Sequence, residues 1–467
     1  MLSRRDLIHS RQHLRQRLVC AVVSHRPDPL DWAGRHATTA MFAGLMVLVI
    51  ALGGTAIYGK IFPGGSKAWR KCDAVIVERE TGAKYVCGVT AGKLHPTLNF
   101  ASASMIIGST KQVVVARASL TWPRGEPVGI DGAPDNLPEP KRLLKGRWSL
   151  CSVIRPDETG TGRPSTVVLV GASPAGGQSV GDRALMVAGP DGGRQLIWRG
   201  TRYPISKPEI VLPVLGLAPA QGVPVGAAWL APIPVGATLG PIEVTGVGQV
   251  LPKLPRMKVG QLARVTNADG TTRFYLAQQQ GLQEVTELQK SLVRTNNTQP
   301  PVTLSPTDLA TPGLTIMSPM TWTGIAPPTT MPSFASPRTA EQSICATLGN
   351  RLPVGVVLDG SLPSTADRIT PSKQPAGQAP VADAVIVPAT YGALVTGLAS
   401  DNAPDGARAL VTDLGIRYAL ADADSAKAMG LSGTPVPVPA GLLDLLPEGP
   451  SLDRQSARRI WHPERVG

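Results

Sequence analysis

The run "ATTAMFAGLMVLVIALGGTAIYG", residues 37–59, carries no charged side chain between Arg35 and Lys60. As a helix these twenty-three residues rise about 35 Å, enough for a hydrocarbon core of about 30 Å. Gly44, Gly53 and Gly54 weaken a helix in water but permit close packing in a bilayer. A buried core helix is the plainer alternative, and the complete lack of charge weighs against it. A cleaved secretory signal would have a shorter apolar stretch with a cleavage site after it. The nearest small-residue triplet, "GTA", lies inside the run. The segment reads as a retained transmembrane helix.

Orientation follows from charge. Residues 1–36 hold seven arginines (4, 5, 11, 15, 17, 26 and 35) against Asp6, Asp28 and Asp31. The positive-inside rule keeps such a head cytoplasmic. No second apolar run of spanning length follows, so the expectation is a single-pass protein of the inner, cytoplasmic membrane with residues 60–467 outside. Within the head, Leu7, Leu14, Leu18 and Val22 fall on one helical stripe among arginines. That stripe suits anionic lipid headgroups or a partner helix, and a solvated helix is the plain alternative.

The outer part keeps 39 basic against 30 acidic residues. No Lys/Arg cluster interleaves with aromatics, so nucleic acid is not an expected partner. Cys20 lies on the cytoplasmic side, and Cys72, Cys87, Cys151 and Cys345 follow the apolar run. Four cysteines in an oxidising compartment allow three pairings. Cys72 and Cys87 flank "DAVIVERETGAKYV", which reads as two strands around a turn and suits a cross-strand bond. That leaves Cys151 with Cys345. Buried free thiols remain the alternative.

A basic residue followed by a ring recurs at Lys84–Tyr85, Arg202–Tyr203, Arg273–Phe274 and Arg417–Tyr418, in a chain with only 19 Phe, Trp and Tyr. Each pair precedes a short strand-like run or turn and then apolar residues at helical spacing, such as Leu282, Val285, Leu288 and Leu292. A strand, a turn and a short amphipathic helix form a unit that cannot bury its own face and must be stacked. Chance recurrence in an Ala/Gly/Val-rich chain is the alternative. Between the units lie strand-like runs such as "QVVVARASL", "STVVLVG" and "VGVVLDG", with Gly/Pro turns.

The expected fold is α+β: one N-terminal transmembrane helix, then a large extracytoplasmic region with a discontinuous β-rich core and four small β-plus-α repeat lobes. The expected division is a basic amphipathic segment over 1–36 and the transmembrane helix over 37–59. Repeats are expected over 60–110, 201–250, 251–300 and 404–450. The core halves take 111–200 and 301–403, a Pro-rich excursion spans 299–338, and 451–467 is a tail. A bond between Cys151 and Cys345 would then join the two core halves.

Catalytic chemistry has little to stand on. The closest approach to a phosphate-binding loop, "GVTAGKL" (88–94), is one residue short and lacks the Ser/Thr that holds a metal. His95 and His462 are the only histidines after the apolar run, and neither stands at nucleophile or metal-ligand spacing. Capping or packing suits His95 better. Asp422 and Asp424 in "ADADS" lack further ligands at loop spacing for Ca²⁺, so a solvated turn is the simpler reading. No catalytic, cofactor-binding or metal-binding residue is expected.

The stretches "GKLHPTLNFASASMIIG", "VLPVLGL", "AAWLAPIPVGATLGPIEVTGVGQ", "RFYLAQQQGLQEV" and "GLLDLLPEGPSLDRQSA", with the arginine-rich head and single apolar run, resemble the EccB family. EccB is a membrane component of actinobacterial type VII (ESX) secretion systems. Ser104 stands where that family commonly has Arg, and the head is short. The resemblance implies a structural role in an inner-membrane complex that exports small helical effector proteins. It implies assembly with the EccC ATPase, EccD and EccE, with further copies of the chain, and with the associated mycosin protease. It also implies a core with four repeats and a disulfide matching Cys151 and Cys345; it does not imply the second candidate, Cys72 with Cys87. Some members carry an ATPase label, so nucleotide hydrolysis is the alternative function.

Overall fold

The computed structural model describes residues 3–25, 33–61, 67–156, 159–218, 222–294, 301–335, 343–348, 353–363, 368–369, 380–399 and 406–462. Parts of the expected divisions lie outside the described residues: 1–2 and 26–32 of the head, 299–300 and 336–338 of the Pro-rich excursion, 404–405 and 463–467. The chain divides into two units. One comprises 1–70, 77–82 and 113–121; the other comprises 71–76, 83–112 and 122–467.

The first unit contains two helices. Helix α1, Arg4–Ser24, starts at a capping box in which Ser3 Oγ accepts from Arg5 N and Asp6 accepts from Ser3 N. That arrangement satisfies amides otherwise orphaned at a helix start. The stripe Leu7, Leu14, Leu18 and Val22 is exposed. Helix α2, Ala33–Ile61, carries the uncharged run. Met41, Phe42, Leu45, Met46, Val47, Leu48, Val49 and Ile50 are all exposed on it. Among the described residues no helix is long and apolar enough to cross a membrane; α2's side chains are described only over 38–54.

The second unit is mixed α+β with a mostly β core. Its central sheet has seven strands in the order Arg368–Ile369, Ala384–Ile386, Gly162–Leu169, Trp148–Pro156, Ile344–Leu348, Pro353–Leu358, Gln178–Ser179. Two distant stretches of chain therefore share one sheet. Alternation of side chains gives it two apolar faces. Leu150, Val168, Ile344 and Ala346 join one cluster, while Cys151, Val167, Leu169 and Cys345 join another.

The lobes are built on one path. In lobe 2 the strands Leu185–Ala188, Arg194–Trp198 and Thr201–Pro204 form an antiparallel meander, and the helix Pro208–Val214 follows. The chain then returns as Val223–Pro224, parallel to the first strand. Lobe 3 repeats the path with Leu262–Thr266, Thr272–Gln278, Gly281–Val285, the helix Glu287–Leu292 and the return Val302–Leu304. Lobe 4 does so with Ala393–Leu398, Arg408–Val411, Arg417–Leu420, the helix Ala423–Ala428 and the return Val436–Pro439. Lobe 1 follows with the antiparallel pair Lys84–Val86 and His95–Pro96 and then the helix Phe100–Ile107. Its chain comes back to Val75, whose N–H donates to Lys111 O at 2.8 Å.

The lobe helices begin and end by similar means. Asn99, Thr286 and Asp422 are N-caps that accept from Ser102, Gln289 and Ser425 amides. In lobes 2 and 4 a left-handed glycine closes the helix: Leu217 N donates to Leu212 O, and Leu431 N to Ala426 O, across Gly216 and Gly430. Only glycine adopts that conformation without strain.

Strand pairing starts the lobes earlier than the basic–aromatic pairs suggest. Leu185–Ala188 and Arg194–Trp198, expected in the first core half (111–200), belong to lobe 2. Val302–Leu304 and Ala393–Leu398, expected in the second half (301–403), belong to lobes 3 and 4. The reason is positional. The pair lies on the second strand in lobes 1 and 3 but on the third in lobes 2 and 4, so it is no fixed landmark of the repeat.

Lobes 2 and 4 pack on the central sheet, through Val187, Ile197 and Trp229 and through Val395, Val438 and Leu442. Lobe 1 joins lobe 4, with Phe100 and Met105 in one cluster with Leu410, Tyr418 and Met429. Lobe 3 joins lobe 2 through Leu288 and Leu292 beside Leu212 and Leu217.

Candidate functional site

Cys151 and Cys345 are directly opposite on adjacent antiparallel strands, with Cα atoms 4.0 Å apart and an S–S distance of 2.06 Å. Both are fully buried. Their strands belong to the two halves of the chain that make the central sheet, so the bond closes a loop around lobes 2 and 3. Cys72 and Cys87 are joined at lobe 1, with a Cα separation of 5.5 Å. Cys20 is a free, buried thiol.

Successive strand residues face opposite ways, which accounts for the basic–aromatic pairs. The rings of Tyr85, Tyr203 and Tyr418 are buried while their basic neighbours reach polar partners. Lys84 pairs with Asp135 at 2.8 Å. Arg202 donates to Ile233 O and Gln195 Oε1, each at 3.0 Å. Arg417 reaches Asp444 and Glu448 at 3.0 and 3.1 Å. In lobe 3 Arg273 pairs with Glu284 at 3.3 Å. Phe274 is only half-buried there, with Lys290 Nζ 3.9 Å from its ring centroid.

A second repeated element escaped the reading of the sequence. After each lobe a short segment runs parallel to the third strand: "PRGEPV" (123–128), "PVGATL" (234–239) and "PEGPSL" (447–452). The first residue of each accepts from Leu94, Arg202 or Arg417 N, and the last donates to Pro96, Pro204 or Ala419 O. Between them a glycine meets a ring. A Cβ on Gly125, Gly236 or Gly449 would lie 2.3–2.4 Å from His95, Tyr203 or Tyr418. Lobe 3 keeps the hydrogen bonds, Leu282 N to Thr315 O and Met320 N to Glu284 O, in "TIMSPM" (315–320). There Met317 and Gln283 replace glycine and ring, and lie opposite each other. A Pro-x-Gly-x-x-aliphatic spacing shared by these three segments was the available signal, although the core strand Pro353–Leu358 carries it too.

The remaining residues singled out fall into structural places. The loop 88–94 connects two antiparallel strands of lobe 1 and leads into the strand His95–Pro96. A phosphate cradle would instead lead into a helix N-terminus. His95 is buried, and its Nδ1 lies 2.8 Å from Glu126 O. Asp422 caps the lobe 4 helix, and the hydrogen bond from the Ser425 amide holds its carboxyl below the usual carboxylate range. Burial pushes the Tyr203 and Tyr418 hydroxyls above the ordinary tyrosine range. Ser104 is fully buried in the lobe 1 helix, while Arg454 reaches the end of that helix and donates to Met105 O at 3.0 Å.

Two of the open clefts of the second unit are formed by its described residues. One, about 270 Å³, is lined by Asn136, Glu139, Arg142, Thr390, Tyr391 and Asp413. Arg142 lies over the Tyr391 ring and bonds Thr390 Oγ1. The other, about 340 Å³, holds Arg273, Phe274 and Glu284 with Met320 and Thr329. Among the described residues no group of three or more His, Cys, Asp or Glu is placed to hold a metal. What the arrangement offers is a cross-linked sheet carrying stacked lobes.

The family described as "Type VII secretion system ESX-1, transport TM domain B" (EccB) matches residues 1–461. The chain is 30% identical to the ESX-3 secretion system ATPase EccB3 of Mycolicibacterium smegmatis, covering 92% of this chain and 84% of that one. It is 26% identical to the ESX-5 secretion system ATPase EccB5 of Mycobacterium marinum, covering 98% and 93%. Its fold is similar to a chain of an intact ESX-5 inner membrane complex, with a TM-score of 0.65 at 25% identity over 100% and 97% of the two chains. It is also similar to EccB3 in a dimer from the ESX-3 core complex, with a TM-score of 0.61 at 25% identity over 82% and 99%. A match along almost the whole chain, in sequence and in fold, makes this chain a member of the EccB family of type VII secretion components.

Proposed function

We propose that this chain is a structural subunit of a type VII inner-membrane complex, anchored by α2 and building a scaffold of lobes on the outer side. The observation that carries this reading is the similarity along the full chain to a subunit of an ESX-5 inner membrane complex. The uncharged run of α2 and its exposed apolar side chains support a single-pass anchor with the arginine-rich head cytoplasmic. The lobes supply broad surfaces for further copies of the chain, for the EccC, EccD and EccE components and for the associated mycosin protease. The dimeric ESX-3 relative supports self-association.

The relatives' names contain the word ATPase, and hydrolysis is the second reading. A structural role suits these residues better, because the loop closest to a phosphate-binding pattern, 88–94, leads into a strand of lobe 1.

Protease added to spheroplasts tests the topology. It should remove residues beyond 60 and spare a small N-terminal fragment. Protection of the C-terminal region would overturn the anchor.

A further inference from the structure

We propose that residues 315–335 act as a clasp that holds lobe 3 on lobe 2, making lobe 3 an arm whose set depends on a peripheral strap. The proposal rests on where this Pro-rich stretch makes its bonds. It first joins lobe 3, where Ile316 and Met317 pair with Leu282 and Gln283. Met320 N donates to Glu284 O at 3.0 Å, and Gln289 Nε2 to Met320 O at 2.9 Å. It then crosses to lobe 2. Ala237 N donates to Ile325 O at 2.9 Å, and the Tyr203 hydroxyl to Ala326 O at 3.1 Å. Leu288 N of the lobe 3 helix donates to Thr329 O at 3.3 Å, and Ala184 N, just before lobe 2's first strand, to Ser333 O at 2.7 Å. Trp322, Met331 and Phe334 lie against the apolar cluster of lobe 2.

Lobe 3 can act as an arm because it has a core of its own, with Leu254, Met257, Ala263, Tyr275, Leu282 and Leu304. Besides the strap, lobe 3 meets lobe 2 through Leu288 and Leu292 of its helix, which enter the cluster of lobe 2, and through the short pairing of Val293–Arg294 with Ile242–Glu243. It is also the lobe whose third strand lacks the glycine-and-ring contact, with Met317 and Gln283 in those places. Thr321, Thr323, Thr329 and Thr330 are exposed along the strap, so water competes for its bonds and local opening costs less than global unfolding. Pro319, Pro327, Pro328 and Pro332 restrict the open strap and lower the entropy cost of closing it again. A strap of this kind is poised to open and re-form while each lobe stays folded.

The test uses the full chain in detergent with a specific protease site inserted at the exposed Thr323–Gly324 bond. The cut falls between Cys151 and Cys345, so the two pieces stay covalently joined. Hydrogen exchange of amides in 281–292 and 208–217 should rise about tenfold or more on cutting, while 100–107 and 423–428 keep their rates. Unchanged rates in 281–292 would overturn the proposal, as would a rise throughout the chain, which would make the strap part of the global fold. If the insertion prevents folding, the uncut double variant Tyr203→Phe with Trp322→Ala, which leaves the Gln289 cap of the lobe 3 helix intact, replaces it. That variant should show a smaller rise confined to the same amides. No rise, or one spread elsewhere, would contradict the clasp.

Discussion

Gly449 lies beneath the Tyr418 ring, where a methyl group would come within 2.3 Å of a ring carbon. Its φ is outside the left-handed region, so the constraint is space and not backbone freedom. Gly449→Ala should therefore destabilise the chain by about 1–3 kcal/mol, the ordinary cost of overpacking. Gly355→Ala, on a core strand with nothing within 4 Å of the added carbon, should change stability by less than about 0.5 kcal/mol. Thermal melting of the two variants in parallel separates them. Equal losses would contradict the packing account. The tyrosines add a pH dependence. Burial raises the native pKa of Tyr203 and Tyr418 above the unfolded value, so their stabilisation is complete below the ordinary tyrosine range near 10. It is lost as pH rises through the raised native values. Melting temperature should fall on the alkaline side together with the absorbance change of tyrosinate, and Tyr418→Phe should flatten part of that fall. A drop in stability well below pH 10 with no tyrosinate signal would count against it. The ring and its basic neighbour were legible in the sequence because they are adjacent. The glycine beneath the ring was not, since it lies about 30 residues away in a motif of few fixed letters.

At the scale of elements, apolar spacing and turn residues point to a recurring β-plus-α unit, but the helix starts escape that reading: Asp422, expected in a solvated turn, is an N-cap like Asn99 and Thr286, and Leu282 and Val285, expected at helical spacing, lie on the strand Gly281–Val285. The lobe starts were not. First strands such as Leu185–Ala188 look like any buried run and acquire their place only through the parallel return strand, here Val223–Pro224. Local patterning cannot show such a pairing. The same limit applies to the central sheet, whose adjacent strands Trp148–Pro156 and Ile344–Leu348 are far apart in the chain. Cys151 and Cys345 were the one local mark of that pairing. Their loop of 194 residues would restrict the unfolded chain by about 5 kcal/mol in the chain-entropy view, against about 3 for the 15-residue loop of Cys72 and Cys87. Cys345→Ser should lower the melting temperature more than Cys87→Ser does. The reverse order would show that the central sheet does not depend on this tether.

For the whole molecule, the uncharged run and the arginine-rich head set the membrane reading, and the repeated lobes set the reading as a scaffold. Internal repetition is a property of the sequence along the chain and is legible there, while the anchor is a proposal drawn from the missing charge. How the lobes combine was not accessible. Lobe 1 joins lobe 4 and lobe 3 joins lobe 2 through helix faces, and short apolar helices give no sign of which partner they choose. The central claim is that this chain works as one subunit among several in a membrane complex. Gentle detergent extraction of the tagged full chain, followed by native mass measurement, tests it most directly. The account predicts a large assembly holding several copies of the chain together with other type VII components. Recovery of the chain alone, at the mass of one copy, from membranes in which those components are present would contradict it.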